Sequence, residues 1–158
     1  MTVQPSPESL KQTLEDKGVK YALAGYVDIH GIIKGKFVPI SHIGRMLKGS
    51  ELFTGAALDG VPQDIADNEV AAMPDVATMT VCPWNPELAW FASDLHLEGA
   101  PFEACSRSIL KRQVAAASDM GYIFNLGIET EFFLFKDSAD GGFEPISGRD
   151  ILAKPCYD

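Results

Sequence analysis

The chain has 158 residues, enough to bury one respectable core or a small domain and part of another. Its 22 acidic and 13 basic residues give a formal charge of −9, and the basic residues do not cluster, which argues against nucleic acid as a partner. The apolar runs are too short to span a bilayer, the start M-T-V-Q-P-S-P-E lacks the basic and apolar segments of a signal peptide, and Cys82, Cys105 and Cys156 form no C-x-x-C pair. A cytoplasmic protein with reduced cysteines and no membrane partner is expected.

Ser6, Pro7 and the pair Leu10 and Leu14, closed by Gly18, predict a short N-terminal helix over 6–17. Y-A-L-A-G-Y-V-D-I and G-I-I-K-G-K-F-V-P flank His30-Gly31 and predict a β-hairpin, its second arm alternating Ile33, Gly35 and Phe37 with Lys34 and Lys36. Ser41 is expected to cap a short helix ending near Gly49. Residues 50–75, rich in Gly, Ala, Asp and Pro, read as one long loop. Its acidic Asp59, Asp64, Asp67 and Glu69 accompany buriable Phe53, Leu58 and Val61, so an active-site loop and a solvated surface both remain open. Strands are expected around Thr78–Cys82 and Leu88–Ser93, and Gly99-Ala100-Pro101 reads as the best domain boundary. Phe102–Met120 then reads as an amphipathic helix with Ile109, Leu110, Val114 and Ala117 on one stripe, stopped by Gly121.

The run N-L-G-I-E-T-E-F-F-L-F, residues 125–135, reads as a strand. Side chains alternate faces, so Glu129 and Glu131 point the same way with Cβ atoms roughly 6–7 Å apart. Two ionised carboxylates so close repel unless a hard cation or a hydrogen-bond network compensates them; on an exposed strand the same pair would be a solvated face. Phe133 and Phe135 continue the glutamates' face, and the opposite face, Phe124, Leu126, Ile128, Thr130, Phe132 and Leu134, reads as packed core. A central, functional strand is expected. The pattern as a whole is α+β: a small domain of mixed strands, then the opening helix and strand of a second domain. No G-x-G-x-x-G, G-x-S-x-G or H-E-x-x-H occurs, and G-I-I-K-G-K-F is one residue short of a phosphate loop and lies in the predicted hairpin. His30, His42 and His96 fall in separate elements and read as turn or surface residues.

Four motifs carry a resemblance: Y-V-D-I-H-G-I-I-K-G-K at 26–36, D-N-E-V-A-A-M-P-D ending at Asp75, R-S-I-L-K-R at 107–112, and above all G-I-E-T-E-F-F-L-F at 127–135. In order and interval they resemble the glutamine synthetase family over nearly the whole chain. The resemblance implies a β-grasp domain over 18–99 and the N-terminal portion of the catalytic domain, incomplete, over 106–158. It implies an ATP-dependent ligase that joins glutamate to ammonia or a small amine through γ-glutamyl phosphate. Mg²⁺ or Mn²⁺ would be the cofactor and ATP a co-substrate, in a homo-oligomeric ring with active sites between subunits. Glu129 resembles the ligand of the metal that grips the ATP phosphates, and Glu131 the ligand of the metal near the glutamate site.

Two departures from the family pattern follow. The family commonly carries F-D-G-S-S in the loop that binds and deprotonates ammonium; here the run is F-T-G-A-A, with Thr54 at the aspartate position and Asp59 five residues later. Thr54 and Asp59 are therefore the loop candidates, and methylamine or a larger amine stays open as acceptor. The family's other metal ligands, its nucleotide-binding residues and its glutamate-binding arginines correspond to positions beyond Asp158, so these 158 residues alone are expected to be inactive. A reading from another class is a non-catalytic β-grasp module that packs onto an intact synthetase.

Overall fold

The structure, a computed structural model, describes residues 5–149. The Ser6 hydroxyl accepts the Ser9 N–H at 3.1 Å and Pro7 takes the first helical position, so α1 (Pro7–Asp16) starts where the sequence predicts. Its two leucines, Leu10 and Leu14, are buried against Ala22, Ala24, Val38, Ala89 and Phe91 of the sheet. This is the expected outcome for a four-residue apolar spacing on a short helix.

The sheet it covers is mixed. The hairpin β1 (Tyr21–Val27) and β2 (Ile33–Pro39) is antiparallel, with Val27 opposite Ile33. A long strand, β6 (Asn85–Leu97), lies parallel to β1 over Leu88–Ala92. Three further strands pair antiparallel with β6: β4 (Val70–Pro74), β5 (Thr80–Cys82) and β7 (Ala100–Pro101). β3 (Glu51–Phe53) then pairs antiparallel with β4, giving the order β2-β1-β6-β4-β3. The short α2 (Ile43–Met46) adds Ile43 and Met46 to the main core, and Tyr26, Val70, Leu95 and Cys105 form a second, smaller cluster.

One backbone approach fixes how β1 meets β6. A Cβ on Gly25 would lie 2.1 Å from the Trp90 ring, so the indole occupies the space a side chain would need. Gly25→Ala should therefore cost about 1–3 kcal/mol through overpacking. Chemical denaturation checks this, and an unchanged midpoint would mean that the ring moves aside freely.

The sequence reading missed β3 and β4 inside the presumed loop of 50–75, and placed β6 too short. V-A-A-M-P has little intrinsic strand preference; it is extended because β6 and β3 pair with it from distant parts of the chain. Ser41 is no helix cap: it lies inside a 3-10 turn, Ile40–His42, that runs into α2, and His42, at the capping position, makes no side-chain cap bond. Gly99, with Glu98, forms the two-residue turn between β6 and β7, both residues having positive φ (82° and 52°).

By its contacts the chain divides into two units, Met1–Phe124 and Asn125–Asp158. Helix α3 (Ser106–Asp119) closes the first and ends, as predicted, at Gly121 with φ +84°. Its expected apolar stripe is largely uncovered: Ile109, Leu110 and Val114 are 42–57% exposed. The second unit contains the hairpin β8 (Phe135–Asp137) and β9 (Phe143–Pro145). No helix among the described residues is long and apolar enough to cross a membrane.

Candidate functional site

The loop that carries both loop candidates is tied at its base by strand register. Phe53 of β3 pairs with Val70 of β4, so the next positions outward, Thr54 and Glu69, face each other across the hairpin. The Thr54 hydroxyl donates to Glu69 Oε1 at 3.2 Å. After Thr54 the chain makes a 3-10 turn, Gly55–Ala57, and the return limb is held by the Gln63 amide donating to the Asn68 carbonyl at 2.9 Å. Lys36 of β2 donates to the Leu52 carbonyl and lies 4.9 Å over the Phe53 ring, so it is a structural tie rather than a phosphate ligand.

Asp59, at the loop's far limb, takes a different partner. Its Oδ2 is 3.0 Å from His30 Nε2, in the turn between β1 and β2. That turn is rigid because Asp28 Oδ1 accepts the N–H groups of both His30 and Ile32 at 2.9 Å, and Gly31 takes φ +77°. Partial desolvation would raise the Asp28 carboxyl, but those two N–H groups and Lys34 outweigh it and hold it below the usual carboxylate range. Ile29 packs where a side chain on Gly60 would have to go. Behind the loop, Tyr26 is 3% exposed and stacks edge-on to Phe53 at 5.0 Å; burial, helped by Asp28, pushes its phenol up to about 12.

Thr54 and Asp59 are thus on one loop but not at one point. Glu69, one of the four loop acids for which the sequence leaves an active-site loop and a solvated surface both open, is the residue the fold brings to Thr54. Recognising β3 and β4 as a hairpin would have revealed the pair. A groove of about 560 Å³ runs beside it, lined in part by Asp67, Asn68, Glu69, His96 and Glu98.

The first unit's other charged cluster is structural. Arg107, near the start of α3, bridges Asp94 Oδ1 at 2.9 Å and Asp75 Oδ2 at 2.7 Å, and Lys111 also pairs with Asp94. Asp75 in turn accepts the Ala77 N–H at 3.1 Å, so one carboxylate ties α3 to the turn after β4. The Arg107 hydrogen bond, against some desolvation, holds the Asp75 carboxyl below its ordinary value. Its stabilising contribution is present above the unfolded-state carboxyl pKa, about 3.9, and is lost as pH falls through the lower folded value. Asp75→Asn should cost about 1–2 kcal/mol at neutral pH and flatten the acid limb of the stability profile. Denaturation midpoints between pH 7 and pH 3 test this; parallel profiles for both proteins would refute it.

Glu129 and Glu131 lie in the second unit and are both exposed. Of the strand expected over 125–135, only Phe135 is in a strand; residues 122–134 lie in none, and Phe124, Leu126, Ile128, Phe132 and Leu134 are 57–83% exposed rather than packed. The reason is physical: an extended segment becomes a strand only when neighbours satisfy its backbone, and within 125–134 only Leu134 finds such a partner among the described residues, its carbonyl accepting the Ile146 N–H at 3.4 Å. Among the described residues no group of three or more His, Cys, Asp or Glu side chains could hold a metal ion. Carboxylates are the right donors for Mg²⁺, but two of them do not close a two-metal centre. The described residues therefore do not fit that centre by themselves.

Comparison with known proteins agrees with the motifs. The glutamine synthetase catalytic domain model matches residues 103–152. The glutamate–methylamine ligase of Methyloversatilis universalis is 37% identical over 154 residues, covering 97% of this chain and 35% of the relative. The glutamine synthetase of Rhizobium meliloti is 39% identical over 146 residues, 90% of this chain and 32% of the relative. Among solved structures, "Apo GmaS without ligand" superposes with a TM-score of 0.73 at 28% identity, covering 94% of this chain and 34% of that one. "GmaS/ADP complex-Conformation 1" gives 0.66 at 32% identity, over 70% and 26%.

An α+β fold shared with these ligases defines the class of protein to which the chain is related. It belongs to the glutamine synthetase family. It spans about a third of the length of the curated relatives it matches.

Proposed function

We infer that the chain forms the N-terminal part of an ATP-dependent glutamate–amine ligase of the cytoplasm. The glutamate γ-carboxylate would attack the γ-phosphorus of ATP, releasing ADP. An amine nitrogen would then attack the carbonyl carbon of the γ-glutamyl phosphate, breaking its bond to the phosphate oxygen and releasing inorganic phosphate. The observation that carries this reading is the match to a glutamate–methylamine ligase along 97% of the chain. On this reading residues 18–99 are the β-grasp domain and 106–158 open the catalytic domain, in a ring-shaped homo-oligomer whose sites lie between subunits.

Within that reading Glu129 and Glu131 are metal ligands for Mg²⁺ or Mn²⁺, one on the nucleotide side and one on the glutamate side. The uncovered stripe of α3 and, taken separately, the exposed apolar residues of 122–134 support missing cover on each: apolar side chains grouped in this way are normally buried. The rest of the ligase would supply both that cover and the remaining ligands. By themselves the 158 residues are expected to form no amide. The purified chain, incubated with ATP, glutamate, Mg²⁺ and either ammonia or methylamine, should release no phosphate above background; glutamate-dependent release would overturn this half of the reading.

A further inference from the structure

We propose that Glu69, and not the residue at position 54, supplies the anionic group that holds the amine substrate's positive charge. The inference rests on the ligase reading above and deepens it. Ammonia and methylamine are both cations at neutral pH, so a site for either needs a negative charge close to the nitrogen. Thr54 has none to give.

The fold places one immediately beside it. The Phe53–Val70 pairing sets Glu69 opposite Thr54, and the Thr54 hydroxyl donates to Oε1 at 3.2 Å. That bond orients the carboxylate without neutralising it. Among the described residues no lysine, arginine or histidine pairs with Glu69, and no other donor reaches its side chain. What separates Glu69 from the neighbouring acids is its contact with Thr54: Asp59 faces His30, Asp67 accepts the Asp64 N–H, and Glu98 accepts the Asn68 amide, and none of these three bonds to Thr54. Glu69 is exposed on the wall of the 560 Å³ groove, where a small cation can reach it. Thr54 thus acts as a positioning residue, and the charge sits one hydrogen bond behind it.

The test uses the complete gene product that contains these residues, assayed with ATP, glutamate and, in separate arms, methylamine and ammonia. Glu69→Gln keeps the side-chain length and an acceptor for Thr54 while removing the charge. It should raise the KM for the accepted amine about tenfold or more, a change equivalent to losing one charge-assisted contact, with the KM values for ATP and glutamate unmoved. Thr54→Asp in the Glu69→Gln background should bring the amine KM back toward the starting value. An unchanged amine KM, or KM values for ATP and glutamate that rise in step with it, would overturn the proposal. If the unmutated protein forms no amide with either amine, the ligase reading fails and this inference falls with it, an outcome the wild-type control separates from the first.

Discussion

Phe91→Ala should cost about 3–5 kcal/mol and leave the first unit close to unfolded at room temperature. Phe91 is the largest fully buried side chain, at 0% exposure, and sits on the one strand that pairs with β1, β4, β5 and β7. Its ring packs in the cluster that joins Leu10 and Leu14 of α1 to Ile43 and Met46 of α2, so the cavity left by alanine would touch three elements at once. Phe37 is the control: it is 64% exposed on β2, and Phe37→Ala should cost under about 1 kcal/mol. Urea denaturation of both variants decides the matter. A loss below 1 kcal/mol at Phe91 would mean that the core is not organised around β6.

The second large effect is functional and rests on the ligand proposal for the paired glutamates. In the complete gene product, Glu129→Gln and Glu131→Gln should each lower turnover about a hundredfold at fixed Mg²⁺ and raise the Mg²⁺ concentration needed for half-maximal rate. Glutamine preserves size and one oxygen donor but removes the charge that a hard cation requires. Because both side chains are exposed, neither substitution should disturb folding, and unchanged melting curves would separate a ligand effect from a structural one. Metal dependence identical to that of the unmutated protein would sink the assignment of that residue.

How much of this was legible in the sequence varies with how local the signal is. The helix α1 and the β1–β2 hairpin are written in adjacent residues, a serine cap, a proline, a leucine pair and a turn around His30-Gly31, and each appears where expected. Strands β3 and β4 are not legible, since three residues and an alanine-rich five become strands only through partners far along the chain. The same non-locality hid the Thr54–Glu69 pair, fifteen residues apart in sequence. For 125–135 the opposite holds: the alternation and the apolar content are plain, yet only Phe135 is in a strand, because no described strand pairs with the residues before it. Periodicity records what a segment is suited to; a ladder also needs a neighbour.

The family, being carried by ordered motifs rather than by tertiary contacts, was readable before the fold was. The identity of the acceptor amine was not, because F-T-G-A-A departs from the common loop and its consequence depends on which acid the fold sets beside Thr54.

Assaying the complete gene product for γ-glutamyl amide formation tests the central claim most directly. With ATP, glutamate and Mg²⁺, amide should accumulate with either methylamine or ammonia, in step with ADP and phosphate, and should vanish when glutamate is omitted. Binding of glutamate and ATP without amide from any amine offered would contradict the account.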